Sequence, residues 1–312
     1  MPRCYFLPNR GEIRSSADRL PVERKYLTPK LSEDRGHGPR ACFRERVRVF
    51  DSSGSDKKIV VLKIGGSVLT GTKAYRRVSL HLKHRLEHAP NEKLVIVVSA
   101  QKLATDRLER RARRIVRSPG VRALDLLWST GELRSVALMA LYLQEAGMSS
   151  LGLNVHETGL QYSIEQQSCP ARPELTGGRL QAALGEHPVV VVPGFLATRW
   201  DGAIVSLGRG GSDLSAVLIA IGLKADRCEL IKDVPGYFED DPNKNSRAHH
   251  LPSLSFSQAL EMAEQGCELV QVRALVAARE VGLPLVIRSI HERAPFTVIF
   301  RKLEARESGP LR

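Results

Sequence analysis

Short apolar runs alternate with amphipathic stretches along most of the chain, starting at Lys58. Continuous apolar runs predict buried strands, whereas apolar residues spaced three and four positions apart predict helices. The predicted strands are 58–62, 94–98, 150–155, 189–192, 203–206, 227–231, 285–288 and 296–300. The predicted helices are 75–88, 106–116, 124–147, 214–222, 256–265 and 269–281. This alternation predicts an α/β fold in which helices cover both faces of a mostly parallel sheet.

The beginning of the chain, residues 1–57, does not share this alternation. It combines scattered Arg, Pro and Gly residues with no sustained apolar period, and it ends in the polar stretch 51–57. We predict a disordered or loosely attached extension. A second explanation is an organelle transit peptide, but the acidic residues of 1–57 count against it. A third explanation is a gene start placed too far upstream.

The composition excludes several classes of protein. The chain has 312 residues and a net charge of +13, and its longest apolar runs fall well short of the roughly 20 residues that a membrane-spanning helix needs. Aromatic residues make up only 5%, and the positive charge is spread along the chain, so a nucleic-acid partner is not indicated. The five cysteines include no CxxC pair, which indicates neither a disulfide framework nor a zinc site. We expect a soluble, cytoplasmic protein that contacts neither membrane nor nucleic acid.

A glycine-rich turn between a predicted strand and a predicted helix carries the strongest chemical signal. The glycines of 207–213 flank a cation, Arg209, and an anion, Asp213. Glycine lets backbone N–H groups approach a ligand, and the start of a helix favours bound negative charge. The Arg209 guanidinium suits a carboxylate or a phosphate, while Ser212 and Asp213 are also suited to cap the helix. A purely structural turn explains the segment about equally well when it is considered alone.

Three further segments place polar residues beside predicted strand or helix ends. Segment 63–67 ends the first strand, where the Lys63 ammonium and two glycines could meet a phosphate. Glu132 opens or interrupts the long helix and could meet a substrate ammonium or merely cap the helix. Tyr237 follows another strand and could cover an adenine. For each of them, a surface turn or a helix cap is an equally simple explanation.

Taken together, these segments resemble the catalytic domain of aspartate kinases, which has the amino acid kinase fold, a three-layer αβα sandwich. The resemblance covers residues 58–300 in order, and 207–213 is its most diagnostic part. Segment 63–67 is similar to the family's opening phosphate motif, and 233–242 to its nucleotide segment. The resemblance implies an extension over 1–57, a catalytic domain over 58–300, a short tail over 301–312 and no C-terminal regulatory domains.

The resemblance also implies roles for individual residues. Lys63 would stabilise the transferring phosphoryl group and Asp213 would orient that lysine. The residues expected to bind the amino acid substrate are Ser99, Thr105, Glu132, Arg209 and Ser212. The residues expected to bind the nucleotide are Lys63, Gly65, Gly66, Ser67, Gly210, Gly211, Lys232, Asp233 and Tyr237. Within the substrate set, Arg209 would grip a carboxylate and Glu132 would hold the amino group.

The implied reaction is the ATP-dependent phosphorylation of the side-chain carboxylate of L-aspartate to 4-phospho-L-aspartate, a step towards lysine and threonine. A carboxylate nucleophile is already ionised at about pH 7, so no strong general base is required. Catalysis then consists of positioning and of charge neutralisation by lysine and Mg²⁺. The implied partners are MgATP and an amino acid, and a homo-oligomer is an expectation from the family alone.

Four positions depart from the family's pattern. Glu268 stands where the family has a lysine, and Asn243 where it has an arginine. Lys232 stands in place of a small polar residue, and 101–104 lacks the small residues that usually precede Thr105. These departures favour two alternatives. The first is a related enzyme for another small carboxylate, carbamate or phosphonate, and the second is a catalytically weak nucleotide-binding homologue.

Overall fold

The computed structural model describes residues 58–162 and 173–301, apart from positions 241, 243, 244, 246, 292 and 293. The predicted extension 1–57, Asn243 and most of the predicted tail lie outside the described residues. Among the residues that are described, no helix is both long enough and apolar enough to cross a membrane.

Strands and helices alternate along the described chain, as the apolar pattern predicts. The strands are β1 Lys58–Ile64, β2 Glu92–Val98, β3 Ser150–Gly152, β4 Leu160–Tyr162, β5 Pro173–Leu175, β6 Val189–Pro193, β7 Leu196–Thr198, β8 Ile204–Ser206, β9 Arg227–Lys232, β10 Tyr237–Phe238, β11 His250–Leu251, β12 Ser253–Ser255, β13 Leu285–Ser289 and β14 Phe296–Phe300. The helices are α1 Thr72–His88, α2 Ala104–Ile115, α3 Val121–Glu145, α4 Val155–Thr158, α5 Arg179–Glu186, α6 Gly211–Gly222, α7 Phe256–Glu264 and α8 Val272–Val281.

The central sheet has the strand order β12-β14-β13-β9-β1-β2-β6-β3. Strand β1 lies in its interior, paired in parallel with β2 on one side and with β9 on the other. The parallel arrangement continues through β13, β6 and β3, whereas β14 runs antiparallel to β13 near one edge. The α/β class and the mostly parallel sheet are therefore confirmed. Because the chain leaves β1 towards β2 and returns beside it as β9, the carboxyl ends of these strands border the crevice where such sheets bind ligands.

Alternate residues of the central strands belong to two separate apolar cores, one on each face of the sheet. In β1, Val60, Leu62 and Ile64 share a core with residues of α1 and α3, whereas Val61 shares the other with residues of α6 and α8. A strand covered on both faces needs a continuous apolar run, which is why 58–62 shows no alternation of polar residues. The predicted three-layer arrangement is confirmed.

Some predicted boundaries are wrong. The strand predicted over 150–155 ends at Gly152, because the Asn154 side chain accepts hydrogen bonds that start helix α4 at Val155. Glu132 neither opens nor interrupts the long helix but lies inside α3, which begins at Val121. The pattern also misses helix α5 and three strands of the small sheet β5-β4-β7-β8, because these strands are too short to show a period. It predicts only β8 of that sheet, over 203–206.

Positive charge is concentrated on helix α2, whereas the sequence suggested that it is spread along the chain. None of its residues is buried, and its acidic Glu109 pairs with Arg113 at 2.7 Å. Its exposed arginines are Arg107, Arg110, Arg111, Arg113 and Arg114. The expectation of a diffuse surface charge is therefore wrong here, since these arginines form a basic surface on the helix that carries Thr105.

Candidate active site

Two lysines and one aspartate meet at the carboxyl ends of β1 and β9. The Lys63 Nζ lies 2.8 Å from Asp213 Oδ1, and Lys232 Nζ donates a 2.7 Å hydrogen bond to Asp213 Oδ2. Only 9% of the Lys63 side chain, 14% of that of Lys232 and 6% of that of Asp213 are exposed. Two ammonium groups against one carboxylate leave an excess positive charge at the edge of the sheet where ligands are expected.

The sheet geometry explains why these three side chains meet. The register pairs Lys63 with Leu230, so the two strands end side by side. Lys63 points to the same face as Val61, and Lys232 to the same face as Leu230, because side chains along a strand alternate. Both Val61 and Leu230 lie in the core shared with α6, the helix that carries Asp213 in its first turn.

The glycine-rich turn before α6 allows close packing at the start of that helix. Gly210 has a φ of 71°, which a side chain would strain, and a Cβ there would lie 2.8 Å from Gln271 Cγ. The expectation that Ser212 or Asp213 caps α6 is wrong, because Gly210 is the N-cap and no side chain accepts a capping hydrogen bond. The Asp213 carboxylate is turned towards the two lysines instead.

The charges in this cluster depend on one another. Burial would raise the pKa of the Asp213 carboxyl, but the ammonium groups of Lys232 and Lys63 hold it below its ordinary value. Burial lowers the pKa of the Lys232 ammonium, and repulsion from Lys63 adds to this, although Asp213 opposes it. Asp213 is therefore ionised, and the excess positive charge beside it is electrostatically costly until an anion binds.

Glu132 faces the same region from the interior of α3. Its Oε2 accepts a 2.9 Å hydrogen bond from the backbone N–H of Ala100, the second residue after β2. Burial raises the pKa of Glu132 to about 8, and the Ala100 hydrogen bond and the Lys63 charge only partly oppose this. The simple alternative of a helix-capping acid is excluded by its position inside the helix. A buried carboxyl with one hydrogen bond in a cavity suits a cationic ligand.

These groups open into a cavity of about 730 Å³. The predicted site residues that line it are Lys63, Ser99, Thr105, Glu132, Arg209, Gly210, Gly211, Ser212, Asp213 and Lys232. The structure therefore brings together all of the predicted substrate residues and the two predicted catalytic residues. Gly65, Gly66, Ser67, Asp233 and Tyr237 are outside this lining, although they were predicted to bind the nucleotide.

Tyr237 does not lie where a ring could cover an adenine. It is fully buried in the core on the α6 face of the sheet, and its backbone N–H donates to Thr297 Oγ1 at 2.9 Å. The prediction that its ring contacts the nucleotide is therefore wrong for this structure, because the ring has no exposed face. Asp233, which follows β9, is exposed but outside the lining of the cavity.

The turn after β1 packs tightly against the end of β2. A Cβ added to Gly66 would lie 2.4 Å from the Ala100 carbonyl oxygen, whereas one added to Gly71 would meet nothing within 4 Å. We expect Gly66→Ala to push this turn and the Ala100 N–H away from Glu132, and to lower turnover by about 10²-fold. Steady-state kinetics of the Gly66→Ala and Gly71→Ala variants would check this. Equal activity in both variants would contradict it.

Several cavity residues are not among the predicted site residues. Phe195 lines the cavity with a φ of 67°, a conformation that side-chain-bearing residues seldom adopt, and its N–H donates to Ser215 Oγ at 3.1 Å. Gln271 donates to the Arg209 carbonyl at 3.1 Å, and Arg273 donates to the Leu207 carbonyl. The start of α8 thus supports the glycine-rich turn. A local sequence pattern carries no signal for such a contact, because the two segments are more than 60 positions apart.

The donor set is consistent with a metal ion that arrives with a nucleotide. Within the described ranges, no group of three or more His, Cys, Asp and Glu side chains is placed to hold a metal. Both Asp213 oxygens face lysines, so the other carboxylates in the lining are the buried Glu132 and the exposed Glu268. Mg²⁺ commonly takes most of its ligands from phosphates and water. The lysines, in turn, suit the phosphates themselves.

Known proteins share this architecture. The aspartokinase of Thermus thermophilus is 35% identical over 242 residues, which are 77% of this chain and 59% of that protein. The structure of aspartate kinase from Synechocystis matches with a TM-score of 0.68 and 34% identity, over 80% of this chain and 40% of that one. E. coli aspartokinase III in complex with aspartate and ADP matches with a TM-score of 0.66 and 25% identity, over 79% of this chain and 65% of that one.

The chain thus spans about three fifths of the curated relatives that it matches. The model of the amino acid kinase family matches residues 58–289, from the first residue of β1 to the last residue of β13. Those limits include the whole lysine and aspartate cluster and the parallel strands from β13 to β3 of the central sheet. The chain belongs to the amino acid kinase family.

Proposed function

We propose that this protein uses ATP to phosphorylate the side-chain carboxylate of L-aspartate, and that residues 58–300 form its catalytic domain. The observation that carries the proposal is the Lys63, Asp213 and Lys232 cluster, which shares one cavity with Glu132 and Arg209. That cavity offers ammonium groups for phosphates and a carboxylate and a guanidinium for the two ends of an amino acid. Relatives named aspartokinase, and a related structure that holds aspartate and ADP, support the same pair of ligands.

The amino acid would be held by charges of opposite sign. Arg209 is exposed in the glycine-rich turn, where its planar guanidinium suits the α-carboxylate. Glu132 would accept the α-ammonium group, and Ser99 and Thr105 line the cavity with hydroxyl groups. With both ends of the α-amino acid engaged, the side-chain carboxylate would be left to face Lys63.

The phosphoryl transfer would rest on positioning and charge. MgATP, when bound, supplies the phosphoryl group and a cation that neutralises phosphate charge. Lys63 would stabilise the negative charge on the transferring group, and Asp213 would keep the lysine in place. The acceptor carboxylate is already ionised near neutral pH, so the transfer requires no general base.

The test is to trap the product. The full chain would be incubated with MgATP, hydroxylamine and one acid at a time: L-aspartate, L-glutamate, succinate, carbamate or a small phosphonate. We expect hydroxamate and ADP in equal amounts with L-aspartate, and much less with succinate, which lacks the ammonium group for Glu132. Hydroxamate formed only from another acid, or ADP released without hydroxamate, would contradict the proposal.

The raised pKa of Glu132 makes aspartate binding sensitive to pH. With a pKa of about 8, the carboxyl is mostly protonated at pH 7 in the unliganded site, and an ammonium group beside it would favour its ionised form. We therefore expect close to one proton to be released per L-aspartate bound near pH 7, and few near pH 9. Calorimetric titrations in two buffers with different heats of ionisation would count these protons.

The Glu132→Gln variant is the control for this measurement. Its amide oxygen can still accept the Ala100 hydrogen bond, but the side chain no longer titrates. We expect it to bind L-aspartate more weakly and to release no proton from this position. Proton release that is unchanged in Glu132→Gln would show that another group is responsible.

A further inference from the structure

Lys232 is a second cation beside a carboxylate that already has one. Lys63 lies 2.8 Å from Asp213, so this one ammonium group is enough to balance the charge of the carboxylate. Lys232 is nevertheless held at 2.7 Å from the other oxygen of the same carboxylate, with only 14% of its side chain exposed. Burying an ammonium group costs free energy unless an opposite charge compensates. Among the described residues, Asp213 is the one carboxylate within ion-pair distance of either lysine, and it is shared by both. The arrangement therefore favours an anion from outside the protein.

The buried positive charge of the cavity comes from the same two lysines. The other cations in its described lining, Arg209 and Arg273, are exposed at the entrance. Glu268 also lies in the exposed part of the lining and adds negative charge there. The deepest positive charge is thus shared by Lys63 and Lys232, which reach the cavity from two neighbouring strands. A phosphoryl group in transfer carries charge on several oxygens and is stabilised best by cations on more than one side.

We propose that Lys232 is a second catalytic lysine, which contacts the transferring phosphoryl group from β9 while Lys63 contacts it from β1. This inference rests on the proposed function. In the step, an oxygen of the acceptor carboxylate forms a bond to the γ-phosphorus as the bond from that phosphorus to the β,γ-bridging oxygen breaks. The electron pair of the broken bond leaves with ADP, and no proton moves, because the acceptor is already ionised. Asp213 holds both ammonium groups in position.

The first test separates turnover from substrate binding. Lys232→Met removes the ammonium group and keeps most of the chain length, and Lys83→Met makes the same change at an exposed position of α1. We expect Lys232→Met to lower kcat with L-aspartate by at least ~10²-fold, and Lys83→Met to behave as the unmodified protein. The KM for L-aspartate should change by less than about threefold, since Lys232 is proposed to contact the phosphoryl group and not the amino acid. An unchanged kcat would overturn the proposal.

The second test does not depend on the acceptor. The affinities of the full chain for MgADP and for the magnesium complex of AMP-PNP, a non-hydrolysable ATP analogue, would be compared by calorimetry. A contact between Lys232 and the γ-phosphate predicts that Lys232→Met binds AMP-PNP about tenfold more weakly and MgADP almost normally. A purely structural role predicts equal losses for both ligands, and that result would overturn the proposal.

A third variant keeps the test decisive if Lys232→Met unfolds. Lys232→Arg retains the positive charge beside Asp213, so it should fold and still prefer AMP-PNP to MgADP. A folded Lys232→Arg protein without that preference would count against the proposal. If the unmodified protein did not phosphorylate L-aspartate, the proposed function would fail, whereas a selective loss of AMP-PNP affinity in Lys232→Met would still identify Lys232 as a phosphate ligand.

Discussion

Replacing Lys63 with alanine is expected to lower turnover by on the order of 10³-fold without unfolding the protein. Lys63 ends inside the cavity, 2.8 Å from Asp213, where it would meet the negative charge that develops during transfer. Lys232 remains beside Asp213 after the substitution, so the buried carboxylate keeps a counter-charge and the fold should survive. ADP release and hydroxamate formation with L-aspartate would both be measured.

The exposed Lys83 gives the matched control for this substitution. Lys83→Ala removes an ammonium group from the surface of α1, so its turnover and its unfolding temperature should match those of the unmodified protein. The Lys63→Ala variant should match it in unfolding temperature and differ from it in activity. Turnover within tenfold of the unmodified protein in Lys63→Ala would mean that this lysine does not act on the phosphoryl group.

The Glu229→Gln substitution should destabilise the fold by about 3–5 kcal/mol, the usual result of breaking a buried ion pair. Glu229 is 1% exposed in β9 and accepts hydrogen bonds from both terminal nitrogens of Arg85, at 2.8 and 2.7 Å. It also accepts one from Arg227 Nε at 2.8 Å, and Arg288 lies 3.6 Å away. Removing its charge leaves these guanidinium groups with less compensation in the sheet. Urea unfolding would measure the change in free energy.

A surface ion pair provides the contrast. Glu145 pairs with Arg76 on exposed parts of α3 and α1. Glu145→Gln should have little measurable effect on the free energy of unfolding, since solvent screens such pairs. Equal effects of the two substitutions would show that the network around Glu229 is no more important than a surface contact.

The Glu229 network also makes stability depend on pH. Burial would raise the pKa of Glu229, but the hydrogen bonds and charges of Arg85, Arg227 and Arg288 lower it to about 2. A carboxyl whose pKa is depressed in the folded state contributes stability above its unfolded pKa of about 4.3, and loses it as the pH falls towards the folded value. The free energy of unfolding should therefore fall between about pH 5 and pH 2, and less steeply in Glu229→Gln.

The parts of this fold and site that could be predicted from the sequence are those with a local signal. The long apolar runs predicted the central sheet, and the glycine-rich turn marked Asp213. Tyr237 shows the limit, because nothing within its turn reveals that the core of the sheet buries its ring. Likewise, no residue near Lys232 in the sequence indicates that Lys232 and Lys63 share Asp213, because these three residues lie on separate elements. Such contacts depend on strand order, which a local pattern does not specify.

The place of β1 between β2 and β9 has a consequence for synthesis on the ribosome. Strand β2 follows β1 closely, whereas the residues of β9 emerge only about 160 positions later. Until then, one side of β1 presents unpaired backbone groups and an apolar surface, the kind of edge that recruits other strands. A nascent chain that stalls before β9 would thus be a substrate for chaperones. It would also lack Lys232 and the strand whose register sets that lysine beside Lys63.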